Sequence, residues 1–543
     1  MLWKYCLALL CVLCTLVTGQ HLVNEEFNEQ VSLQTLQDGR VASTFSFNIL
    51  LKDATPREPR TLIFDDESQH YSLFPLALGQ ILREYAVTEL HLTLNAGKWN
   101  YDSWGYPKER DVGTGAALWA WMADGGPTTI DYRWQGLRNA LAGLFCASIG
   151  SLDEQRTTSP VLPFAPEGSL PDWGVDHQLR HASLASEHVC TENLTPFLKL
   201  LPCKSLSGIA SLLNPHRLFD ANWHGMGVHV LWNPDAGVEV RLTFQSVSDP
   251  IRISGGKKQD WSFSTLFDRT IERTCPVAQS SIVDVVLPRG ALYSITPEPP
   301  RIDKTLAFYD LTNLSEALDV TLKWASDFTY ALDSPEIASI PISVRRTLRG
   351  ASQDRGQLSL VIKNNAPSSL QVFYLETMPW IVQFYLHTMR VSSDTGGKRD
   401  NLISNVSYVS PVPHSRPATF QAVIDIPGDS TVYLTIDVTK AFLRYTEHPP
   451  DAQRGWDLPP AIILPLPGSN ASITNKHEFA GRIYTPPLLV DLATPDFSMP
   501  YNVIIFSCSL IAFIFGSIFN LLTRKFVVVR LGSQLGTSKS KHD

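Results

Sequence analysis

The sequence predicts a mostly β protein: an α+β N-terminal part, antiparallel β-sandwich-like domains after it, and one C-terminal transmembrane helix. Three observations carry the prediction. Short runs of alternating apolar and polar residues recur between Val238 and Val438, the signature of half-buried antiparallel strands. Helical and strand-like patterns interleave ahead of Pro160. Close to the C-terminus, residues 503–522 form a charge-free apolar run. The totals narrow the classes further. With 543 residues, 45 Lys+Arg against 53 Asp+Glu and a formal charge of −8, the chain is no basic nucleic-acid binder. At 18% charged and 44% hydrophobic it is not extensively disordered. Its length suits two to three folded units of roughly 150 residues.

Residues 1–19 read as a signal peptide. An apolar run at 7–17 follows Lys4, and Val17-Thr18-Gly19 offers small residues for cleavage before Gln20. Residues 20–160 form a mixed α/β region. Val31 and Leu33, the turn pair Asp38-Gly39, then Phe45, Phe47 and Ile49 read as a hairpin. Residues 72–86 read as a helix, with Pro75 in its first turn and Leu78, Leu82 and Tyr85 on one face. Residues 90–94 alternate as a strand, and a loop rich in aromatics (Trp99, Tyr101, Trp104, Tyr106) follows. Residues 116–122, ending at Gly125-Gly126, and residues 134–149, with Leu137, Leu141 and Leu144 on one face, read as helices.

Pro160, Pro163, Pro166 and Pro171 mark a linker or long loop into residues 161–501, which are predicted to be β-rich and sandwich-like. Alternation recurs at 238–244, 318–322, 358–362 and 432–438, with turn chemistry at Asn364-Asn365 and Pro427-Gly428-Asp429. No fixed-period repeat is present, which argues against a propeller. Residues 502–523 make the transmembrane helix, since twenty apolar residues rise about 30 Å, the depth of a hydrocarbon core. Arg524, Lys525 and Arg530 open a basic tail, 524–543, which the positive-inside rule places in the cytosol. The tail carries five Lys/Arg and one Asp; taking its +4 and the +1 of Lys4 from −8 leaves −13 on the segment between. Lys539 and Lys541, fifth and third from the C-terminus, resemble a receptor-read retrieval address. The expectation is a single-pass type I protein of the endoplasmic reticulum membrane, its body lumenal and its C-terminus cytosolic.

Four sequons fall in that body, at Asn193, Asn313, Asn405 and Asn470, and are candidate glycosylation sites. Pro196 directly follows the first and weakens it. Four cysteines also remain there: Cys146, Cys190, Cys203 and Cys275. Two bridges with three possible connectivities are the ordinary reading. Cys146, however, lies in an apolar helical run and reads as a buried free thiol. If it stays free, the odd cysteine implies a bond to another chain.

Motifs for catalysis, cofactors and metals are missing. Gly113-Thr114-Gly115 and Gly225-Met226-Gly227 begin dinucleotide patterns that Leu118 and Val230 break. His477-Glu478 lacks the second histidine of a zincin, and no nucleophile elbow occurs. His177, His181, His224 and His229 have no further ligand at sensible spacing and read as surface or packing residues. Val189-Cys190-Thr191 lacks the sequence around a caspase nucleophile, so a disulfide is the stronger reading for Cys190. Trp99 and Trp104 read as core or interface residues ahead of a sugar platform.

Several segments resemble one family. They are Cys190-Thr191-Glu192-Asn193-Leu194-Thr195-Pro196 with Lys199-Leu200-Leu201-Pro202-Cys203; Trp104-Gly105 with Gly115-Ala116-Ala117-Leu118-Trp119; Leu144-Phe145-Cys146-Ala147-Ser148; Lys257-Lys258-Gln259-Asp260-Trp261-Ser262; and Met378-Pro379-Trp380. The longest begins Tyr484-Thr485-Pro486-Pro487-Leu488-Leu489-Val490 and runs through Thr494-Pro495-Asp496-Phe497-Ser498-Met499-Pro500-Tyr501 to Asn520-Leu521-Leu522-Thr523-Arg524. The chain thereby resembles the phosphatidylinositol-glycan class T family of GPI transamidase subunits from about residue 25 to 524. The resemblance implies a non-catalytic subunit in the endoplasmic reticulum, without cofactor. It implies a caspase-like catalytic subunit and other membrane subunits as partners, with GPI lipid and proprotein handled by the complex. It also implies an interchain disulfide to the catalytic subunit from Cys190, which leaves Cys203 and Cys275 for an internal bridge. The alternatives are a type I lumenal lectin-like or cargo-sorting receptor and a lumenal hydrolase with an unrecognised site.

Overall fold

The computed structural model describes residues 25–64, 69–288, 292–312, 314, 316–329, 340–350, 352–396, 402–448, 455–466, 481–493, 498–527 and 529. The expected signal peptide, Asn313, Asn470 and the end of the tail lie outside these residues. The chain builds two β lobes and one long separate helix.

Among the described residues the first lobe contains fourteen strands: β1 (Glu25–Thr35), β2 (Val41–Lys52), β3 (Val87–Ala96), β4 (Gly115–Ala123), β5 (Thr157–Thr158), β6 (His177–Leu184), β7 (Trp223–Asn233), β8 (Gly237–Ser248), β9 (Trp261–Ser262), β10 (Ser280–Val286), β11 (Tyr293–Thr296), β12 (Arg301–Asp303), β13 (Leu306–Asp310) and β14 (Thr321–Trp324). Eleven form one sheet in the order β12-β13-β10-β1-β2-β8-β7-β3-β4-β6-β5, and β11-β14-β9 form a second. The β1–β2 hairpin is the one expected, Val31 facing Phe45 across it. Gly39 stands at φ 78°, the left-handed conformation its turn requires. The pairing of β10 with β1 is parallel, an exception to the antiparallel expectation.

Helices cover one face of this sheet. Leu76–Glu84 contributes Leu78 and Leu82, and Ile130–Phe145 contributes Ile130, Trp134, Leu137, Leu141 and Phe145. Thr129 caps the latter by accepting from the Tyr132 N–H at 3.2 Å. These side chains meet Leu90, Leu92 and Leu94 of β3 and Leu118, Ala120 and Met122 of β4 in one buried cluster. Residues 116–122, expected to be helical, are therefore a strand. Their opposite face, Trp119 and Trp121, packs on Phe373, Leu375 and Ile462 of the second lobe. A strand buried on both sides needs apolar residues throughout, which erases the alternation that would have announced it.

The division expected at residue 160 falls inside this lobe, because β6, β7 and β8 share the sheet of β1 to β4. The proline stretch is a packed connection, with Phe164 wholly buried in the contact between the lobes. The expected strand at 318–322 starts at Thr321, while Leu318 makes a single bridge to Ile271.

The second lobe is the expected sandwich. Its strands are β15 (Ile342–Arg349), β16 (Arg355–Asn364), β17 (Leu370–Met378), β18 (Val382–Phe384), β19 (Arg390–Ser393), β20 (Ile403–Val409), β21 (Ala418–Ile426), β22 (Thr431–Lys440), β23 (Trp456–Leu458), β24 (Ile462–Pro465), β25 (Ile483–Tyr484) and β26 (Leu488–Val490). One sheet runs β15-β16-β22-β18 with β19 also on β22, and the facing one runs β20-β21-β17-β24-β25. Leu358, Leu360, Ile362, Leu434 and Ile436 of the first meet Val372, Tyr374, Phe420 and Ile424 of the second. Within that core Arg346 and Glu376 form a bidentate ion pair, Nε to Oε2 2.9 Å, which the Tyr374 hydroxyl joins at 2.6 Å.

The last helix, Ser498–Thr523, is long and apolar enough to cross a membrane over Tyr501–Thr523, and none of that stretch is buried against the lobes. This agrees with the expected span at 502–523 and makes the chain a membrane-anchored protein.

Candidate functional site

Three arrangements bear on function: a thiol at a helix tip, an internal disulfide, and a charged latch between the lobes. Cys190 immediately precedes the helix Thr191–Leu200, in extended conformation. Leu194, Phe197 and Leu200 bury one face of that helix, whereas the Cys190 thiol is exposed and unbonded. Asn193 sets the start of the helix. Its Oδ1 accepts from the Cys190 N–H at 2.8 Å. Its Nδ2 donates to the carbonyls of Phe145 and Cys146, at 2.9 and 3.2 Å. A single carboxamide thus joins the end of one helix to the start of the next, satisfying backbone groups that helix ends leave open.

Two side chains here have surroundings the sequence did not suggest. Asn193 has no exposed surface and spends its amide on internal hydrogen bonds, an unfavourable setting for a glycan. Cys146 is exposed rather than buried. Phe145 ends the apolar stripe, and Cys146 turns away from it at φ 52°. Asn405, by contrast, is exposed on edge strand β20, where the register shifts between Ser404 and Ser407. Endoglycosidase treatment of the chain from secretory membranes should therefore remove a mobility shift that Asn405→Gln also removes. Asn193→Gln should leave the glycan count unchanged; a lost glycan would contradict the buried amide.

Cys203 and Cys275 form the internal bridge, Cα–Cα 5.9 Å across 72 residues of sequence. Gly208 lies beside it at φ 68°, where a Cβ would strike Glu29 and Cys275. Glu29 holds this loop by accepting from the Ile209 N–H at 3.1 Å and the Ser281 hydroxyl at 2.6 Å. Burial pushes its carboxyl pKa up, against the pull of those hydrogen bonds.

The latch is built by the strand that leads towards the membrane helix. Arg482, next to β25, reaches into the first lobe, its Nε 3.1 Å from Asp111 and one terminal nitrogen 2.7 Å from Glu167. Its other terminal nitrogen donates to the Pro163 carbonyl at 3.2 Å. Trp119 and Phe164 flank the guanidinium, with ring centroids at 5.3 and 5.1 Å. The Tyr484 hydroxyl donates to Asp111 at 2.7 Å, and the Tyr484 N–H donates to the Tyr101 hydroxyl at 2.9 Å. Burial alone would push the Asp111 carboxyl up, but Arg482 and the Tyr484 hydrogen bond hold it at about 2.

Behind Trp119 lies a second polar layer. His91 stacks on Trp119 at 3.7 Å, shares a 2.8 Å hydrogen bond with His229 and lies 3.0 Å from Glu89. Glu89 accepts from the Glu167 and Gly168 N–H groups, both at 2.9 Å. Burial lowers the pKa of His181 to about 3 and drives that of His229 well below its ordinary value, so both are neutral at neutral pH. His181 and His229 thus take the packing role expected, and His224 is buried as well. His177 stacks on Trp173. Among the described residues no three His, Cys, Asp or Glu side chains are placed to hold a metal ion. Trp99 and Trp104 are buried edge to face, 5.1 Å apart, and offer no open platform.

The family described as Gpi16 subunit, GPI transamidase component, matches residues 8–254 and 248–542, which takes in both lobes, the thiol helix and the latch. The chain belongs to the Gpi16 family. Among curated Gpi16-type relatives, the human GPI-anchor transamidase component PIGT is 34% identical over 92% of this chain and 91% of its own. The Schizosaccharomyces pombe GPI transamidase component PIG-T homolog is 31% identical over 93% of this chain and 91% of its own. A solved yeast delta-COP-I mu-homology domain is 10% identical over 50% of this chain and 84% of its own, with a TM-score of 0.15, too slight a likeness to inform the fold. Sequence reasoning on this Gpi16 chain singled out Cys190, Cys203 and Cys275 but missed the latch. The one local signal for it was a charged Arg482 next to Ile483 and Tyr484 at the head of the pre-membrane segment.

Proposed function

We propose that the chain is a non-catalytic structural subunit of the GPI transamidase of the endoplasmic reticulum. It tethers and stabilises a caspase-like catalytic subunit through Cys190 while the complex attaches GPI to proteins. The observation that carries this reading is the Cys190 thiol: exposed, unbonded, and held at the tip of a helix whose other face is anchored in the core. The cysteine pairing supports it, since the Cys203–Cys275 bridge removes the internal partners nearest in role and leaves Cys190 available. Membership of a family of transamidase components supplies the setting.

A covalent tether converts association with the catalytic subunit into an intramolecular event. Local concentrations in the millimolar range then allow modest non-covalent contacts to hold the pair. The two interlocked lobes give the tether a stiff base, and the apolar helix keeps it at the membrane beside the other membrane subunits and the GPI lipid. In this reading the body faces the lumen and the basic tail faces the cytosol.

The test is a non-reducing gel of membranes solubilised in mild detergent. The wild-type chain should run with a partner-sized upward shift that reductant abolishes and Cys190→Ser lacks. A wild-type chain without the shift, or a shift that survives Cys190→Ser, would overturn the tether.

A further inference from the structure

We propose that Cys146 is a resolving thiol for Cys190, so that the interchain bond can be exchanged for an internal Cys146–Cys190 disulfide. This rests on the tether reading and adds to it a second cysteine and a reversible chemistry. Among the described residues the free cysteines are Cys146, Cys190 and Cys508, and Cys508 lies within the membrane-spanning helix. The other two are both exposed and share one neighbour. The Cys190 N–H and the Cys146 carbonyl sit on opposite ends of the Asn193 carboxamide, at 2.8 and 3.2 Å. Oxygen and nitrogen of a carboxamide are about 2.3 Å apart from its bond lengths, so the Cys190 nitrogen and the Cys146 carbonyl oxygen lie within about 8 Å of each other.

A disulfide asks for Cα atoms roughly 4.4–6.8 Å apart. The adjustment needed falls on two helix ends, where structure opens most readily. Cys146 ends the helix Ile130–Phe145 and Cys190 starts the helix Thr191–Leu200, so neither residue is inside regular structure. The surroundings leave room for attack. Gly143, Ser148, Gly150, Thr191 and Thr195 are exposed small residues, and a Cβ at Gly143 would meet nothing within 4 Å.

The exchange balances without an oxidant or reductant. The Cys146 thiolate attacks the Cys190 sulfur of the interchain disulfide. The bond between Cys190 and the partner's sulfur breaks, a Cys146–Cys190 bond forms, and the partner leaves as a thiolate that takes the proton Cys146 gave up. In reverse, a partner thiolate opens the internal bond and forms the tether. A chain carrying the internal bond therefore already holds the oxidation state that the tether needs.

The experiment uses the full chain in its disulfide-linked complex, isolated in mild detergent and placed in a fixed low concentration of glutathione. Opening of the tether is followed on non-reducing gels, and alkylated samples are mapped by mass spectrometry. Wild type should yield a Cys146–Cys190 peptide as the tether opens. Cys146→Ser and Cys146→Gly should open about tenfold more slowly or less, because they lose an attacker present at millimolar effective concentration. Cys146→Gly guards against misfolding, since φ 52° suits glycine without strain. Absence of the peptide, or opening of both variants at the wild-type rate, would overturn the resolving role alone. A partner-sized band retained in Cys190→Ser would bring down the tether reading and this inference together.

Discussion

Replacing Arg482 by Met is expected to cost about 3–5 kcal/mol of stability, the usual penalty for removing one partner of a buried ion pair. Arg482 is 6% exposed, and it is the cation that holds Asp111, itself nearly buried, in its charged form. Unfolding of the detergent-solubilised chain by denaturant gives the loss, and limited proteolysis shows whether the lobes separate before either unfolds. The pH dependence gives a second handle. In the wild type the Asp111 pKa is lowered to about 2, so its contribution is present above the ordinary carboxylate pKa and is lost as pH falls through 2. Without the guanidinium, burial pushes the same carboxyl up, and its charged form becomes a liability as pH rises. The gap between wild type and Arg482→Met should therefore widen from acid towards neutral pH. Adding Asp111→Asn to Arg482→Met should restore part of the loss, because an unpaired buried charge is gone. A deficit under about 1 kcal/mol, flat with pH, would mean that the latch does not hold the lobes.

Loss of the internal bridge is the second large effect. Closing 72 residues with Cys203–Cys275 restricts the unfolded chain by about 4 kcal/mol in the loop-entropy account. The double variant Cys203→Ser/Cys275→Ser should lower the unfolding midpoint accordingly and reduce the steady-state amount of the protein several-fold. The partner-sized band on non-reducing gels should persist in whatever protein folds, since Cys190 lies outside the closed loop. If the tether vanished while overall stability held, Cys203 or Cys275 would have to be the interchain cysteine instead.

The outline of this fold was legible wherever the cause was local. The β1–β2 hairpin follows from alternation around Asp38-Gly39, and the helix Ile130–Phe145 from a stripe of apolar residues at helical spacing. The sandwich followed from alternation at residues 358–362 and 432–438, which pair side by side in one sheet and turn their apolar residues onto the facing sheet. β4 was misread because helices cover one of its faces and the second lobe the other, leaving an alanine-rich apolar run that looks helical. The burial of Asn193 was not legible because a sequon is three residues of grammar, whereas burial depends on where Phe145 and Cys146 arrive. The latch was invisible for the same reason at a longer range: Tyr484 and Asp111 lie 373 residues apart in sequence. Beyond the charge of Arg482 close to Tyr484, nothing local records that they meet.

The spacing between the second lobe and the apolar helix limits where the molecule can act. Leu492 is still buried in the sandwich, and the helix begins at Ser498. At 3.3–3.6 Å per residue, that short leash is at most about 20 Å long even fully stretched. The folded mass consequently rides close above the lipid headgroups and has little freedom to rise from them. Whatever surface it offers is presented at that same altitude, within about a protein's radius of the bilayer.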